Sequence, residues 1–349
     1  MSPSSEVGIA LALGVAFLAA AAICFGLLLR LRPLLARYAL ARPNARSSHK
    51  IPTPQGGGIA VITATVVVVA ATEIFLPGLV DDPWRLAVIF AAAVGLALVG
   101  ATDDLRPMGA APRLLLQIAA VATVIFALPS DVRIVPALPW WLDRAAMLVS
   151  GVWLVNVVNF MDGIDWMTVA EIVPVTAGLA LFGLTGALPH DATLVALALC
   201  GAMIGFAPLN RPVAKLFLGD VGSLPIGLLL GWLLMLLAGR GYLAAAALLP
   251  LYYLADATIT LIRRFINGEP VTQAHRSHFY QRALDGGFTV YQIVARVFLL
   301  NVALGALASV TVLSSSLTLE MASFVVGCTL VSALLWTFNR TGSKTQKAV

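Results

Sequence analysis

The chain has 349 residues, of which 60% are hydrophobic and only 11% are charged, and its formal net charge is +5. Ordinary soluble domains contain roughly 25% charged residues, so this composition excludes a soluble globular protein and indicates an integral membrane protein. The basic residues are scattered among short segments between apolar runs, which argues against nucleic-acid binding and suits anionic lipid headgroups or anionic substrates.

Apolar runs of about 18 to 25 residues recur along the whole chain, and each is long enough to cross a hydrocarbon core of about 30 Å as a helix. The alternating pattern of a transmembrane β-barrel is not visible. We predict one all-α polytopic domain over residues 1–349, with about ten to eleven transmembrane helices. In chain order, the predicted spans are 7–29, 57–76, 84–101, 112–129, 144–161, 168–187, 191–208, 223–239, 241–263, 288–312 and 317–338.

The distribution of Lys and Arg predicts how these helices cross the membrane. The segment before the first span contains Glu6 and no basic residue, whereas the segment after it, RLRPLLARYALARPNAR, is strongly basic. Alternate threading from that start puts most of the basic residues on one side, which by the positive-inside rule is the cytoplasm. We therefore predict an outside N-terminus, a cytoplasmic C-terminus and a first helix that is an anchor rather than a cleaved signal.

The same threading brings nearly all of the unusual polar residues to the cytoplasmic side. A single Asp at a helix end is usually only solvated, but several of them, next to Gly and Asn at the ends of different helices, indicate a functional cleft. The candidate site residues are Lys50, Asp103, Asp104, Asn156, Asn159, Asp162, Asp165, Asp220, His275, Arg276 and His278. Asp256 lies deeper, within the predicted ninth span, where we expect it to pair with a basic residue or to extend the site into the membrane.

The residue types in this cleft suit phosphoryl chemistry. Carboxylate and amide oxygens are the ligands that Mg²⁺ takes in proteins, with Mn²⁺ as an alternative, and substrate phosphates usually complete the coordination. His and Arg donate hydrogen bonds to phosphate oxygens. The chain contains neither GxxxxGK[ST] nor GxGxxG, which argues against P-loop and dinucleotide sites. The stretch QGGG at 55–58 is compatible with close helix packing and with phosphate binding, and both interpretations stay open.

The stretch NVVNFMDGIDWM predicts where the fifth helix ends. Asn156, Asn159, Asp162 and Asp165 recur every third residue, and on a continuous helix each step of three drifts by about 60°, so the first and last would lie on opposite faces. Gly163 offers a break in the helix. We expect Asn156, Asn159 and Asp162 to share one edge of the helix and a turn to redirect Asp165.

Five motifs occur in a fixed order between about residue 47 and about residue 284: SSHKIPTPQGGGIAV, GATDDL, NVVNFMDGID, FLGDVGS and AHRSHFYQRAL. Together they resemble the polyprenyl-phosphate N-acetylhexosamine-1-phosphate transferases of glycosyltransferase family 4, which include the phospho-N-acetylmuramoyl-pentapeptide transferases. The resemblance implies transfer of a sugar 1-phosphate from a UDP-sugar to undecaprenyl phosphate, with release of UMP. It also implies a location in the bacterial inner membrane, with the active site at the cytoplasmic face.

The resemblance implies roles for the candidate residues. Asp103 and Asp104 match the paired acidic residues of the family, one of which is expected to act on the lipid phosphate. Asn159 and Asp220 match the positions that hold Mg²⁺ against the diphosphate. The other candidates are implied to bind substrate, namely Lys50, Asn156, Asp162, Asp165, His275, Arg276 and His278. Direct attack by the lipid phosphate and a two-step route through a phospho-aspartate are both chemically open, and we favour direct attack because paired carboxylates repel an incoming phosphate.

The chain departs from the family pattern at three places. Members of the peptidoglycan branch have a lysine where this chain has Pro107, and three consecutive histidines where it has HRSH. Both differences argue against a muramoyl-pentapeptide donor. AHRSHFYQRA is closer to the O-antigen initiating branch, which predicts a 6-deoxy N-acetylhexosamine donor, with UDP-N-acetylglucosamine as the alternative. Trp166 stands where members commonly have glycine, and it is interpreted as a stacking surface, an interface anchor or a group that narrows the donor pocket.

A polytopic lipid-diphosphate transporter is the alternative from another functional class. Transporters typically place ionisable groups near the bilayer midplane and are often built from internal repeats. In this chain the polar groups collect at one predicted face and no repeat is visible, so we favour the enzyme. The oligomeric state, a homodimer included, is left open.

Overall fold

The computed structural model describes residues 3–41, 52–270, 273, 275–314 and 316–346. The described part is mostly helical, with one short antiparallel ribbon between the first two helices. In chain order the elements are α1 (Pro3–Tyr38), β1 (Leu40–Ala41), β2 (Thr53–Pro54), α2 (Gly58–Phe75), α3 (Pro83–Leu105), α4 (Ala110–Ala127), α5 (Trp140–Met161), α6 (Met167–Leu184), α7 (His190–Phe206), α8 (Asp220–Gly239), α9 (Leu243–Leu248), α10 (Leu251–Ile266), α11 (Phe279–Asp285), α12 (Val290–Leu313) and α13 (Leu317–Gln346).

Nine of the described helices are long and apolar enough to cross a membrane, namely α1 to α6, α8, α12 and α13. Together with the shorter apolar helix α7 and the broken pair α9 and α10, they account for the predicted spans. The prediction of an all-α polytopic membrane protein is confirmed. The orientation of the termini and the single domain over residues 1–349 stay predictions.

Several helix boundaries differ from the predicted ones. α1 continues to Tyr38, so the first part of the basic segment after residue 29 is helical and is not a loop. Pro250 separates α9 from α10 and divides the predicted span 241–263, because proline has no amide N–H and its ring clashes with the carbonyl group four residues earlier. Asp103 and Asp104 lie in the last turn of α3, and Asp220 is the first residue of α8. The acidic candidates are therefore held on the ends of rigid helices.

The helix α8 lies at the centre of the bundle. Its sequence, DVGSLPIGLLLGWLLMLLAG, is apolar around nearly the whole circumference, and such a helix needs protein on all sides. It is buried along its length and packs against α2, α3, α5 and α9. Gly100 on α3 permits a very close approach, since a Cβ atom there would lie 2.2 Å from the carbonyl oxygen of Asp220. The packing of α8 therefore decides where Asp220 lies.

The substitution Gly100→Ala is expected to lower the stability of the purified protein by about 1 to 3 kcal/mol, because the new methyl group overlaps backbone atoms and forces α3 and α8 apart. The control is Gly95→Ala on the same helix, where a Cβ atom meets no other group within 4 Å. Thermal melting in detergent should show a lower melting temperature for Gly100→Ala alone. Equal melting temperatures for Gly100→Ala and the wild type would contradict the close packing.

The glycines at 56–58 are explained by helix packing. A Cβ atom at Gly58 would lie 2.1 Å from the Cα atom of Gly222 on α8. The backbone N–H groups of Gly57 and Gly58 donate to the carbonyl oxygens of Phe217 and Leu218, each at 2.9 Å. Because both donors are occupied, they are not free to bind a phosphate. Of the two interpretations left open by the sequence, close packing is the one that the structure supports.

Candidate active site

Four helices meet at the N-terminus of α8, where they form a cluster of charged and amide side chains. Asp220 Oδ1 accepts a hydrogen bond from Asn159 Nδ2 on α5 at 2.7 Å. Its other oxygen, Oδ2, lies 3.4 Å from Arg113 NH1 on α4, and the same guanidinium nitrogen donates to Asp103 Oδ2 on α3 at 2.8 Å. Ser223 Oγ accepts a second hydrogen bond from Asn159 Nδ2 at 2.9 Å. The structure therefore brings together three candidates from separate motifs around Arg113.

Asp104 faces the backbone of α8. Its two carboxylate oxygens accept hydrogen bonds from the N–H groups of Asp220 and Val221, each at 3.1 Å. The first N–H groups of a helix have no partner within the helix, so a carboxylate from α3 satisfies them and interacts favourably with the helix dipole. Asp104 thus positions Asp220. The catalytic roles predicted for Asp103 and Asp104 stay predictions, but their surroundings differ, since Asp103 pairs with Arg113.

The fifth helix ends where the sequence predicts. α5 stops at Met161, and residues 162–166 form the turn that leads into α6. Asn156 and Asn159 share one face of α5. This face lines a cavity of about 840 Å³, which we call the main cavity. Asp162 departs from this edge, because its Oδ1 accepts from Thr168 Oγ1 on α6. Desolvation raises the pKa of Asp162 to about 7, and repulsion by Asp104 and Asp165 adds to the rise.

Asp165 and Trp166 hold the loop between α7 and α8. Asp165 is 3% exposed, and its Oδ2 accepts from the N–H of Ala214 at 2.9 Å. Trp166 has a left-handed backbone with φ of 62°, which explains why a glycine suits this position. Its indole Nε1 donates to the carbonyl oxygen of Ala207 at 2.6 Å, and its ring packs edge-on against Tyr291. These contacts make Trp166 an anchor for the loop, and neither residue lines the main cavity.

The basic loop before α11 is held by Asp256 on α10. Asp256 is fully buried, and its Oδ1 lies 3.1 Å from Nδ1 of His278. The same carboxylate accepts from the backbone N–H groups of Phe279 at 3.0 Å and Tyr280 at 3.3 Å. The expectation that Asp256 pairs with a basic residue is therefore met by His278. With Nδ1 directed at the carboxylate, Nε2 of His278 is the nitrogen left to face a ligand.

The other two candidates of this loop lie beside His278. The rings of His275 and His278 are 5.0 Å apart, and both residues line the main cavity. Arg276 forms an ion pair with Asp285 at 2.9 Å. Lys50, the remaining candidate, lies outside the described residues, and its role stays a prediction.

The main cavity has a volume of about 840 Å³, and its lining is polar at one end and largely apolar elsewhere. Its polar end is lined by Arg113, Asn159, Asp220, His275 and His278. The rest of its wall comes largely from apolar side chains of α4 and α5, among them Leu114, Ile118, Leu148, Val149 and Val152. Leu114 and Val149 are 43% and 71% exposed on the outside of the bundle. The cavity is therefore a groove that joins a charged pocket to the surface that would face lipid.

The residues at the polar end fit a divalent cation with few protein ligands. Asp220 and Asn159 supply the hard carboxylate and amide oxygens that Mg²⁺ prefers, and the amide oxygen and nitrogen of Asn159 can exchange places by rotation. Within the described part of the chain, no group of three or more His, Cys, Asp or Glu side chains is arranged to hold a metal. A cation at this end would therefore draw most of its ligands from water and substrate phosphates.

Sequence reasoning missed two residues of this groove. Arg113 and Gln117 are not among the candidates predicted from the sequence, although both lie on the groove wall. The available signal was their spacing, because residues four apart share one face of a helix, and polar side chains are rare in an apolar span.

Residues 86–238 match the family model described as Glycosyl transferase family 4. This range runs from within α3 to within α8. It contains the three acidic and amide residues that surround Arg113, together with Asp104.

The chain is similar to several named proteins. It is 26% identical over 273 residues to the probable undecaprenyl-phosphate N-acetylglucosaminyl 1-phosphate transferase of Bacillus subtilis, which covers 75% of this chain and 74% of that protein. It is 28% identical over 323 residues to the decaprenyl-phosphate N-acetylglucosaminephosphotransferase of Mycobacterium tuberculosis, covering 78% and 76%. A phospho-N-acetylmuramoyl-pentapeptide-transferase of Symbiobacterium thermophilum is 31% identical over 210 residues, covering 54% and 61%. These similarities agree with the resemblance seen in the motifs.

Proposed function

Because the chain belongs to glycosyl transferase family 4, we propose that it transfers an N-acetylhexosamine 1-phosphate from a UDP-sugar to undecaprenyl phosphate. The products are a polyprenyl diphosphate sugar and UMP. The single observation that carries this proposal is the groove, whose charged end suits a diphosphate and whose apolar wall suits a lipid chain. A water-soluble acceptor would not need an apolar groove that opens at the exposed side chains of Leu114 and Val149.

The reaction joins two phosphates within the charged end of the groove. An oxygen of the lipid phosphate attacks the phosphorus that carries the sugar, and a new P–O bond forms. The bond from that phosphorus to the bridging oxygen breaks, and UMP leaves with this oxygen and its electron pair. A phosphate monoester has a second pKa of about 6, so the acceptor is mostly dianionic at neutral pH and needs little help from a general base.

The described side chains supply positioning and charge. Arg113 lies between two carboxylates and can offer its remaining N–H groups to a phosphate oxygen. His275 and His278 line the same end of the groove, and Nε2 of His278 can donate to a phosphate oxygen when the ring carries both protons. Asp103 orients Arg113. Asp220 and Asn159 would hold Mg²⁺ or Mn²⁺, which when bound supplies positive charge to neutralise the diphosphate. Such reactions depend mainly on positioning and electrostatics.

The donor sugar is the finer part of the proposal. The relatives that match about three quarters of the chain are named for N-acetylglucosamine. They favour UDP-N-acetylglucosamine over the 6-deoxy sugar suggested by HRSH. A role in O-antigen or another cell-envelope polysaccharide, in the bacterial inner membrane, is proposed on the same basis.

The test is radiolabel transfer in membranes that contain the chain. UDP-N-acetylglucosamine and a UDP-linked 6-deoxy N-acetylhexosamine, each labelled in the β-phosphate, are supplied with undecaprenyl phosphate and Mg²⁺. We expect labelled lipid product and stoichiometric UMP, absent from membranes without the chain and abolished by chelator. If no UDP-N-acetylhexosamine gives a lipid product, the proposal of an enzyme is contradicted. The lipid-diphosphate transporter is then the remaining alternative. Transfer that is independent of metal would contradict only the roles of Asn159 and Asp220.

A further inference from the structure

The groove wall contains a buried amide that the proposed mechanism does not use. Gln117 lies one helical turn after Arg113 on α4, lines the groove and is 1% exposed. Among the residues that the structure describes, its Nε2 atom has no hydrogen-bond acceptor. Burial of an amide N–H group without an acceptor raises the free energy of the folded protein. When such a group lies in a groove wall, a bound ligand can supply the missing acceptor.

The direction of this amide is fixed by a neighbour. Asn156 Nδ2 donates both to the backbone carbonyl oxygen of Val152 at 2.8 Å and to Oε1 of Gln117 at 2.7 Å. Because the carbonyl group of Val152 can only accept, the Asn156 amide cannot be reversed without losing this bond. The carbonyl oxygen of Gln117 is therefore turned to Asn156, and its two N–H donors are turned away.

The amide lies where the groove changes from polar to apolar. Arg113 is about 6 Å nearer to the charged end, since four helical residues rise by that distance. On the other side, Ile118 and Val152 begin the apolar wall. A ligand that fits both sides of this point needs oxygen atoms at one end and a hydrocarbon chain at the other. A prenyl phosphate has this order, whereas a UDP-sugar is polar along its whole length.

We propose that Gln117 binds the phosphate of the polyprenyl acceptor by donating from Nε2 to a phosphate oxygen. Asn156 is the positioning residue that keeps this donor directed into the groove. The inference rests on the proposed function for the identity of the acceptor. It assigns the acceptor phosphate to the α4 side of the groove, between Gln117 and Arg113, and leaves the histidine side to the nucleotide.

The first test is steady-state kinetics of full-length protein in detergent, with each substrate varied at saturating levels of the other. Gln117→Leu, which keeps the side-chain volume, is expected to raise the KM for undecaprenyl phosphate roughly 10- to 100-fold, the loss of one hydrogen bond to a charged group. The KM for the UDP-sugar should stay within twofold of the wild type, a split that general misfolding would not give. The matched control is Thr123→Val on the exposed face of the same helix, which should change neither constant.

The second test needs no turnover and so separates this inference from the proposed function. Binding of farnesyl phosphate and of farnesol is measured by calorimetry on the wild type, Gln117→Leu and Asn156→Ala. We expect Gln117→Leu to weaken farnesyl phosphate binding and to leave farnesol binding unchanged, with a smaller effect of the same kind for Asn156→Ala. Equal binding of farnesyl phosphate by Gln117→Leu and the wild type, or an increase in the KM for the UDP-sugar alone, would overturn the assignment. Failure of the wild type to make lipid product would instead overturn the proposed function.

Discussion

Asp220→Asn is expected to lower the rate of sugar-phosphate transfer about 10²- to 10³-fold while the protein keeps its fold. The amide has the same shape as the carboxylate and retains an oxygen that can accept from Asn159 Nδ2. It loses the negative charge that faces Arg113 at 3.4 Å and that would bind a divalent cation. The loss should therefore appear mainly in kcat, measured with labelled donor, and little in the melting temperature.

The control for this experiment is Asp131→Asn, an exposed aspartate on the predicted outer side of the membrane. It should retain wild-type activity. Wild-type activity in Asp220→Asn would show that the cluster around Arg113 is not the reaction centre. A large fall in melting temperature would show instead that the carboxylate charge is needed to assemble the end of α8.

Substitutions of Asp256 are expected to have the second large effect. Asp256→Ala removes the acceptor of five buried donors, namely Nδ1 of His278, the N–H groups of Phe279 and Tyr280, and the hydroxyl groups of Tyr252 and Thr260. Removal of one partner from such a buried network costs about 3 to 5 kcal/mol, so this variant should melt at a much lower temperature or fail to fold. Asp256→Asn keeps one accepting oxygen, and we expect it to fold and to lose activity about 10- to 100-fold, because one oxygen cannot satisfy all the donors of the carboxylate and His278 is oriented less firmly.

A double-mutant cycle decides whether Asp256 acts through His278. If it does, Asp256→Asn combined with His278→Ala should be no less active than His278→Ala alone, because the oriented ring is already gone. Additive losses would contradict this linkage. The control on the same helix is Ile259→Val, a 45% exposed side chain that would face lipid, and it should leave both activity and melting temperature unchanged.

The sequence predicted part of the candidate site well, because some of its signals are local. The break predicted at Gly163 follows from a three-residue spacing that a helix cannot place on one face, and α5 does end nearby, at Met161. The grouping of Asn159 with Asp220 came from family motifs, and these side chains are hydrogen bonded. The substrate-binding role implied for Asp165 stays a prediction, and in the structure its carboxylate accepts a hydrogen bond from the backbone N–H of Ala214.

Other roles could not be read from the sequence because they depend on which helix ends meet. Asp104 caps α8 although 116 residues separate it from Asp220. The same holds for Gln117, whose significance appears only when Asn156, 39 residues away, is seen to fix the direction of its amide. A pattern of residue types along the chain carries no information about such partners.

The sequence by itself determined that this chain is a polytopic helical membrane protein, because burial in hydrocarbon requires long apolar helices with internally satisfied backbones. It also predicted the reaction class, through the ordered polar motifs that interrupt those helices. Only the tertiary structure decided which polar residues face the groove and which hold helices in place. That decision rests on contacts such as Arg113 with Asp220, 107 residues apart, and on glycines that let α3 and α8 approach. The physical reason is that apolar spans follow from local composition, whereas the direction of each polar side chain follows from the packing of helices that are distant in the chain.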